Sequence, residues 1–123
     1  MPIMTECASD NAAAVFELLA LECCVDDEEG TESYYNALGQ LHRVYGPAII
    51  HEDGTREWFL DGQRHRLNGP AVEYASGTRE WFLNGQRHRL DGPAVEYADG
   101  YCSWFIDGNE LTEAEWQQEV ASM

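Results

Sequence analysis

A 23-residue period constrains this chain more than any other feature. The stretch GPAVEYASGTREWFLNGQRHR runs from Gly69 to Arg89, and GPAIIHEDGTREWFLDGQRHR runs from Gly46 to Arg66. A third copy, GPAVEYADGYCSWFIDGNE, starts at Gly92. Trp58, Trp81 and Trp104 fall in register, as do Gly62, Gly85 and Gly108. A period of this length marks a repeat architecture, in which each unit buries its apolar face against the next. Subtracting one more period sets Tyr35, Gly39, His42 and Gly46 beneath Trp58, Gly62, His65 and Gly69. A degenerate first copy therefore begins near Tyr34, and the array spans 34–109.

Each copy reads as short strands. Val72-Glu73-Tyr74-Ala75 and Arg79-Glu80-Trp81-Phe82-Leu83 are rich in β-branched and aromatic residues. Asp53-Gly54, Ser76-Gly77 and Asp99-Gly100 separate the strands on one side of the tryptophan, and Asp61-Gly62, Asn84-Gly85 and Asp107-Gly108 follow it. Such dipeptides suit two-residue type I′ hairpins, where both central residues need positive φ. With two-residue turns throughout, Val72 faces Trp81, Glu73 faces Glu80, Trp81 faces His88 and Glu80 faces Arg89. Arg87 then lies over Phe82 as a cation–π pair. The preceding copy repeats this with Glu57 and Arg66. His42, His65 and His88 each stand opposite an aromatic residue and read as packing and hydrogen-bonding positions.

The flanks differ from the array. Ser9 or Asp10 can cap a helix over 10–24, with Ala12, Val15, Phe16, Leu19 and Cys23 as its apolar stripe. An acidic linker over 25–33 follows. At the other end Thr112-Glu113-Ala114-Glu115 is a capping box with Leu111 and Trp116 at hydrophobic-staple positions, so a short helix is expected over 112–121. The fold class expected is a mainly β, antiparallel hairpin meander with an N-terminal and a short C-terminal helix, in one domain over 1–123. The tryptophan face of a single sheet layer needs a cover. The N-terminal helix stripe or a homodimer would supply it.

Charge separates the flanks from the array more sharply still. The formal net charge is -16, and the chain has no lysine. Residues 1–40 and 107–123 together carry -14 of it and no base. Such a surface repels nucleic acid and anionic membrane and attracts basic partners. No apolar run approaches the roughly 20 residues of a membrane helix. The start lacks a positive n-region, so no secretory signal is expected. The four cysteines have no framework spacing and read as reduced, as in the cytoplasm.

The pattern Trp-x-x-Asn/Asp-Gly-x-x-His-x-x-x-Gly resembles MORN repeats. It is closest to the MORN-like HR-x-x-GPA-x-x-x-x-x-G-x-x-x-W-x-x-NG variant of small phage and large-virus proteins. The resemblance covers Tyr34 to Asn109. It implies antiparallel hairpins in a meandering sheet, and family roles in scaffolding, lipid binding and antitoxin pairs. The absence of lysine argues against phosphoinositide binding.

No catalytic signature is present: no G-x-S-x-G, no Cys/His nucleophile pair, no phosphate loop. No enzyme activity, cofactor or metal is expected. The histidines lack the close Cys/His pairs of a zinc site. The 26–32 acidic run fails the calcium-loop pattern, because its acids are consecutive and Ala37 stands where a bidentate glutamate is required. The arginines each have an acidic or aromatic neighbour within the repeat. The expected function is a non-enzymatic acidic inhibitor of a basic nucleic-acid-handling protein. The phage-like repeat suggests counter-defence of an anti-CRISPR or anti-restriction type, working as a nucleic-acid mimic in the host cytoplasm. Asp26, Asp27, Glu28, Glu29 and Glu32 are the first candidate partner contacts, and Glu113, Glu115 and Glu119 the second. An antitoxin against a nuclease or deaminase, and a scaffold that joins proteins through its sheet, are the alternatives.

Overall fold

The computed structural model describes residues 23–26 and 28–123. The helix expected over 10–24 falls outside them, except at Cys23 and Cys24, which lie in a strand. The acidic linker expected over 25–33 is a β-hairpin instead. Its strands are β1 (Cys23–Asp26) and β2 (Glu32–Tyr35), with Asp26 paired to Glu32 and Cys23 to Tyr35. These residues extend the sheet because Cys23-Cys24-Val25 and Ser33-Tyr34-Tyr35 can pair, whereas a linker would leave the backbone of β2 without a second neighbour.

Eleven further strands follow: β3 (Ile49–Ile50), β4 (Arg56–Glu57), β5 (Phe59–Leu60), β6 (Gln63–Arg64), β7 (Val72–Glu73), β8 (Arg79–Glu80), β9 (Phe82–Leu83), β10 (Gln86–Arg87), β11 (Val95–Glu96), β12 (Cys102–Ile106) and β13 (Asn109–Leu111). The order β1-β2-β3-β4-β7-β8-β11-β12-β13 forms one antiparallel sheet. The hairpins β5-β6 and β9-β10 stand beside it. Backbone bonds from Arg66 N–H to the Phe82 carbonyl (3.2 Å) and from Gly85 N–H to the Arg64 carbonyl (2.9 Å) tie one of these hairpins to the next. The antiparallel meander is thus as expected.

One set of turns agrees with its reading and the other does not. Asp61, Asn84 and Asp107 adopt φ of 49°, 51° and 51°, each followed by a positive-φ glycine, as a type I′ turn requires. The other set is longer. Tyr74 N–H donates to the Thr78 carbonyl at 2.9 Å, and Gly77 N–H donates to the Tyr74 carbonyl at 2.9 Å. The loop is therefore three residues, with Gly77 at φ 105°. That is the three-residue hairpin in which a left-handed glycine closes the turn. The same bonds recur at His51–Thr55 and Tyr97–Tyr101.

The extra loop residue shifts the register by one. Val72 faces Glu80 rather than Trp81, and Glu73 faces Arg79 rather than Glu80. The facing pair of Glu73 and Glu80 disappears with it. Across the sheet one row now reads Ile50, Arg56, Glu73, Arg79, Glu96. Opposite charges stand side by side, the favourable cross-strand case. The adjacent row reads Ile49, Glu57, Val72, Glu80, Val95, Ser103. Glu80 does not meet Arg89; Arg87 donates to it at 3.0 Å. Likewise Arg64, not Arg66, bonds Glu57 at 2.9 Å. Arg66 and Arg89 reach forward to Glu73 and Glu96 of the following copy.

The core is thin and periodic. Ala48, Ala71 and Ala94 are fully buried, with Val72, Val95, Phe59 and Phe82 beside them. Ala71, Val72 and Phe82 form one cluster against which Trp58 packs. As expected, the Arg87 guanidinium lies 5.6 Å from the Phe82 ring. Much of the tryptophan cover comes from arginine. Arg66 lies 3.7 Å over Trp58, and Arg89 lies 3.8 Å over Trp81. Each of these arginines also donates to a proline carbonyl four residues on, at 3.0 Å. A Cβ at Gly92 would lie 2.7 Å from the Arg89 guanidinium carbon. The glycine of each Gly-Pro-Ala thus leaves room for the arginine that folds back over it.

The first copy is offset by one residue from the alignment of Tyr35 with Trp58. His42 N–H donates to the Tyr34 carbonyl, as His65 N–H does to that of Trp58. Arg43 lies 3.8 Å over the Tyr34 ring. Tyr34 takes the tryptophan's place, and the turn through Asn36–Gly39 absorbs one more residue. At the far end the expected capping box is present. Helix α1 (Glu113–Ala121) starts from N-cap Thr112, whose hydroxyl accepts from the Glu115 N–H while the Glu115 carboxylate accepts from the Thr112 N–H.

Candidate functional site

The meander brings every three-residue loop, and the β1-β2 turn, to one margin of the sheet. Along that margin lie Glu28 and Glu29, then Glu52 and Asp53, then Tyr74–Thr78, then Asp99. The loops are locked to one another. The Thr55 hydroxyl accepts from the Ala75 N–H, and the Thr78 hydroxyl from the Ala98 N–H, both at 3.0 Å. Glu52 packs beside the turn at Gly30, where a Cβ would lie 3.4 Å from its Cγ. Asp53 accepts from the Thr55 N–H at 2.9 Å, and that bond holds its carboxyl below the usual range.

Asp26, Glu28, Glu29 and Glu32 are therefore gathered on one hairpin at one end of the sheet, and Asp27 lies outside the described residues. Asp26 directly faces Glu32, a like-charge pair that costs a few tenths of a kcal/mol or more. The residues that sequence reasoning missed are Glu52 and Asp53. Their separation from the 26–32 run hid the fact that adjacent hairpins align their loops. Glu113, Glu115 and Glu119 stand on α1 against β12 and β13, at the opposite end. Eight strand spacings of about 4.8 Å put on the order of 40 Å between the two groups. That exceeds the Debye length of about 8 Å at physiological salt several-fold, so the groups act on a partner independently. Glu115 also serves the helix cap, whereas Glu113 and Glu119 have no such task.

The arginines of the array are engaged within it. Arg56 bonds Glu73, Arg79 bonds Glu96 at 2.5 Å, and Arg43 donates to the Pro47 carbonyl at 3.3 Å. The other four were placed above. The histidines are engaged as well. Nδ1 of His42, His65 and His88 accepts the N–H of Asp61, Asn84 and Asp107 at 2.9, 3.0 and 2.9 Å. An accepting Nδ1 carries no proton, so these rings are neutral with the proton on Nε2. They bind one copy to the next, in keeping with their reading from sequence. Among the described residues no group of three or more His, Cys, Asp or Glu could hold a metal ion, and no helix is long and apolar enough to cross a membrane.

Tyr34 supplies the clearest pH response. Burial, followed by a hydrogen bond with Cys24, pushes its hydroxyl up to about 12, against the pull of Arg43. The fold favours the neutral phenol. Its contribution to stability is full below the ordinary value of 10 and is lost as pH rises through about 12. In a phenolate absorbance titration, two of the six tyrosines should ionise late, Tyr34 and Tyr74, the second because burial and its hydrogen bond to Glu80 raise its hydroxyl too. Tyr34→Phe should remove one of the two late ionisations and leave that of Tyr74, and a late amplitude unchanged by the substitution contradicts the assignment.

Compared with protein families, curated proteins and solved structures, the chain matches none.

Proposed function

We propose that the chain is a non-enzymatic acidic binding protein that blocks a basic, nucleic-acid-handling protein. One observation carries the reading. The seven arginines all bond glutamates, aromatic rings and carbonyls inside the array, while Glu28, Glu52, Asp53 and Asp99 of the loop margin and Glu113 and Glu119 of α1 pair with none of them among the described residues. A rigid, self-neutralised scaffold thus presents carboxylates at its ends. Rigid carboxylates spaced along a hairpin edge can stand in for phosphates. The MORN-like character of the repeat supports a phage counter-defence role, of the anti-CRISPR or anti-restriction kind. An antitoxin against a nuclease or deaminase would present the same surface.

The test is displacement. A partner held on the immobilised chain should leave when a short DNA duplex is added, because both occupy one basic surface. A partner unmoved by duplex at concentrations that saturate its own nucleic-acid site would overturn the mimicry. The scaffold reading draws on Leu38, Tyr45, Leu67 and Tyr101, which are large, apolar and exposed. It predicts such an unmoved partner.

A further inference from the structure

Arg43, Arg66 and Arg89 hold one position in three successive copies, and their charges are not met alike. The Arg66 guanidinium lies between the Trp58 ring at 3.7 Å and Gly69, where a Cβ would be 3.1 Å away. Arg89 lies in the same way between Trp81 and Gly92, and Arg43 between Tyr34 and Gly46. Nη1 of each donates to the proline carbonyl four residues on. In the last copy no arginine follows, and Trp116 covers Trp104 instead, with ring centroids 4.6 Å apart. Both faces of each guanidinium are thus covered and Nη1 is tied. The Nε edge is what remains.

Arg89 fills that edge from within the chain. Its Nε donates to Asp91 at 2.9 Å, and its Nη1 also reaches Glu96 at 3.0 Å. Arg79 bonds Glu96 as well, so two arginines meet two carboxylates. One copy earlier Arg56 and Arg66 share Glu73 alone, and Asn68 stands where Asp91 does. One copy earlier again, Ile50 takes the place of Glu73 and Tyr45 that of Asp91. Arg43 is held by a ring and a carbonyl, with no carboxylate among the described residues. The groove between Arg43 and Arg66, of about 380 Å³, has both arginines, Tyr45, Leu67 and Asn68 in its walls and no acid. The groove one period on has Asp91 in its wall. In a chain of 23 acids and 7 bases, an acid-free groove between two arginines runs against composition.

We infer that the groove between Arg43 and Arg66 binds an aspartate or glutamate side chain of a partner protein. The carboxylate sits on the Nε edge of Arg66 as Asp91 sits on that of Arg89, with Arg43 in the other wall. Ring and glycine hold the guanidinium flat, so its donors are aimed before the partner arrives, and little ordering is left for binding to supply. An ionised acceptor makes such bonds roughly twice as strong as neutral ones. The face of Trp58 stays under Arg66 and takes no part. Tyr45 and Leu67, 93% and 77% exposed, offer apolar contact beside the charge. A net charge of -16 repels a strongly acidic segment, so the fitting partner is a single carboxylate among apolar neighbours. The inference is independent of the acidic margin and uses none of its residues.

The probe is the peptide acetyl-Leu-Asp-Leu-amide, titrated into the full chain at low salt while the arginine Nε–H signals are followed by heteronuclear NMR. Those of Arg66 and Arg43 should move and saturate, and that of Arg89, already held by Asp91, should stay. The twin acetyl-Leu-Asn-Leu-amide carries no charge and should bind more weakly by about tenfold or more, the worth of one charge-assisted hydrogen bond. Asn68→Asp should supply the carboxylate from within and weaken the probe by a similar factor. Asp91→Asn should make the Arg89 signal respond as that of Arg66 does. Both side chains stand on exposed links, so the backbone spectrum of each variant should stay that of the folded chain. Equal binding of the twin, an Arg66 response that ignores Asn68→Asp, or no gain at Arg89 in Asp91→Asn would overturn the inference. Saturation by inorganic phosphate and not by the peptide would also overturn it, by showing a phosphate site instead.

Discussion

Phe82→Ala should lower stability by about 3–5 kcal/mol, the usual cost of deleting a buried phenylalanine. Phe82 is 8% exposed and shares its cluster with Ala71, Val72 and Trp58. Two guanidinium groups also lie over its ring, Arg64 at 5.5 Å and Arg87 at 5.6 Å. Truncation removes the transfer term, opens a cavity and leaves each cation with one ring, Arg64 with Phe59 and Arg87 with Phe105. The alanines nearby have no larger side chain to move into the gap. A domain of this size has only about 5–15 kcal/mol in total. One kcal/mol shifts the midpoint of a domain of about 100 residues by roughly 4 °C or more, so thermal melting should fall by at least about 12 °C. Phe59→Ala should behave alike one copy earlier, at 9% exposure. Leu67→Ala, on the open face, should change stability by less than about 0.5 kcal/mol. Equal effects at Phe82 and Leu67 would mean that the core is placed on the wrong face.

Neutralising the first acidic hairpin should cost partner affinity about a hundredfold or more. The changes are Asp26→Asn, Asp27→Asn, Glu28→Gln, Glu29→Gln and Glu32→Gln. Single exposed charge contacts are each worth up to about 1 kcal/mol. Five together at about 0.6 kcal/mol each give a hundredfold. The fold should gain slightly, because Asp26 no longer faces a second carboxylate in Glu32. Loss of binding with a rise in melting temperature is a pairing that damage to the fold cannot produce. Glu113→Gln, Glu115→Gln and Glu119→Gln at the far end should cost less. Glutamine at 115 preserves the capping box, so α1 should stay intact.

Much of this fold was legible in the sequence, and the misses share a cause. The period placed the strands, and Asp-Gly and Asn-Gly placed the type I′ turns, because few residues tolerate positive φ. Ser76-Gly77 looks the same in sequence yet closes a three-residue loop. The signal lay just beyond the dipeptide, in Thr55 and Thr78, whose hydroxyls stitch one loop to the next. The facing of Glu73 and Glu80 that two-residue turns would give was itself a warning, since like charges repel across a ladder and a shift of one residue makes it an Arg–Glu ladder. The first copy slipped for a similar reason: a fixed count of 23 cannot see a residue absorbed in a turn. The acidic margin was half legible. The 26–32 run is visible as composition, but Glu52 joins it only through the alignment of loops. The seat of Trp116 was not legible at all. A staple position says that Trp116 packs near its helix start, not that it replaces an arginine over Trp104.

The most direct test of the account is parallel capture from a nuclease-treated host lysate on two columns. One bears the natural chain and the other the five-fold neutralised hairpin variant, and both are eluted in rising salt. The account predicts a basic nucleic-acid-handling protein on the first column, released at moderate salt, and nothing equivalent on the second. A partner that binds both columns equally, or that resists salt on the first, would contradict it and place the binding surface on the uncharged face of the array.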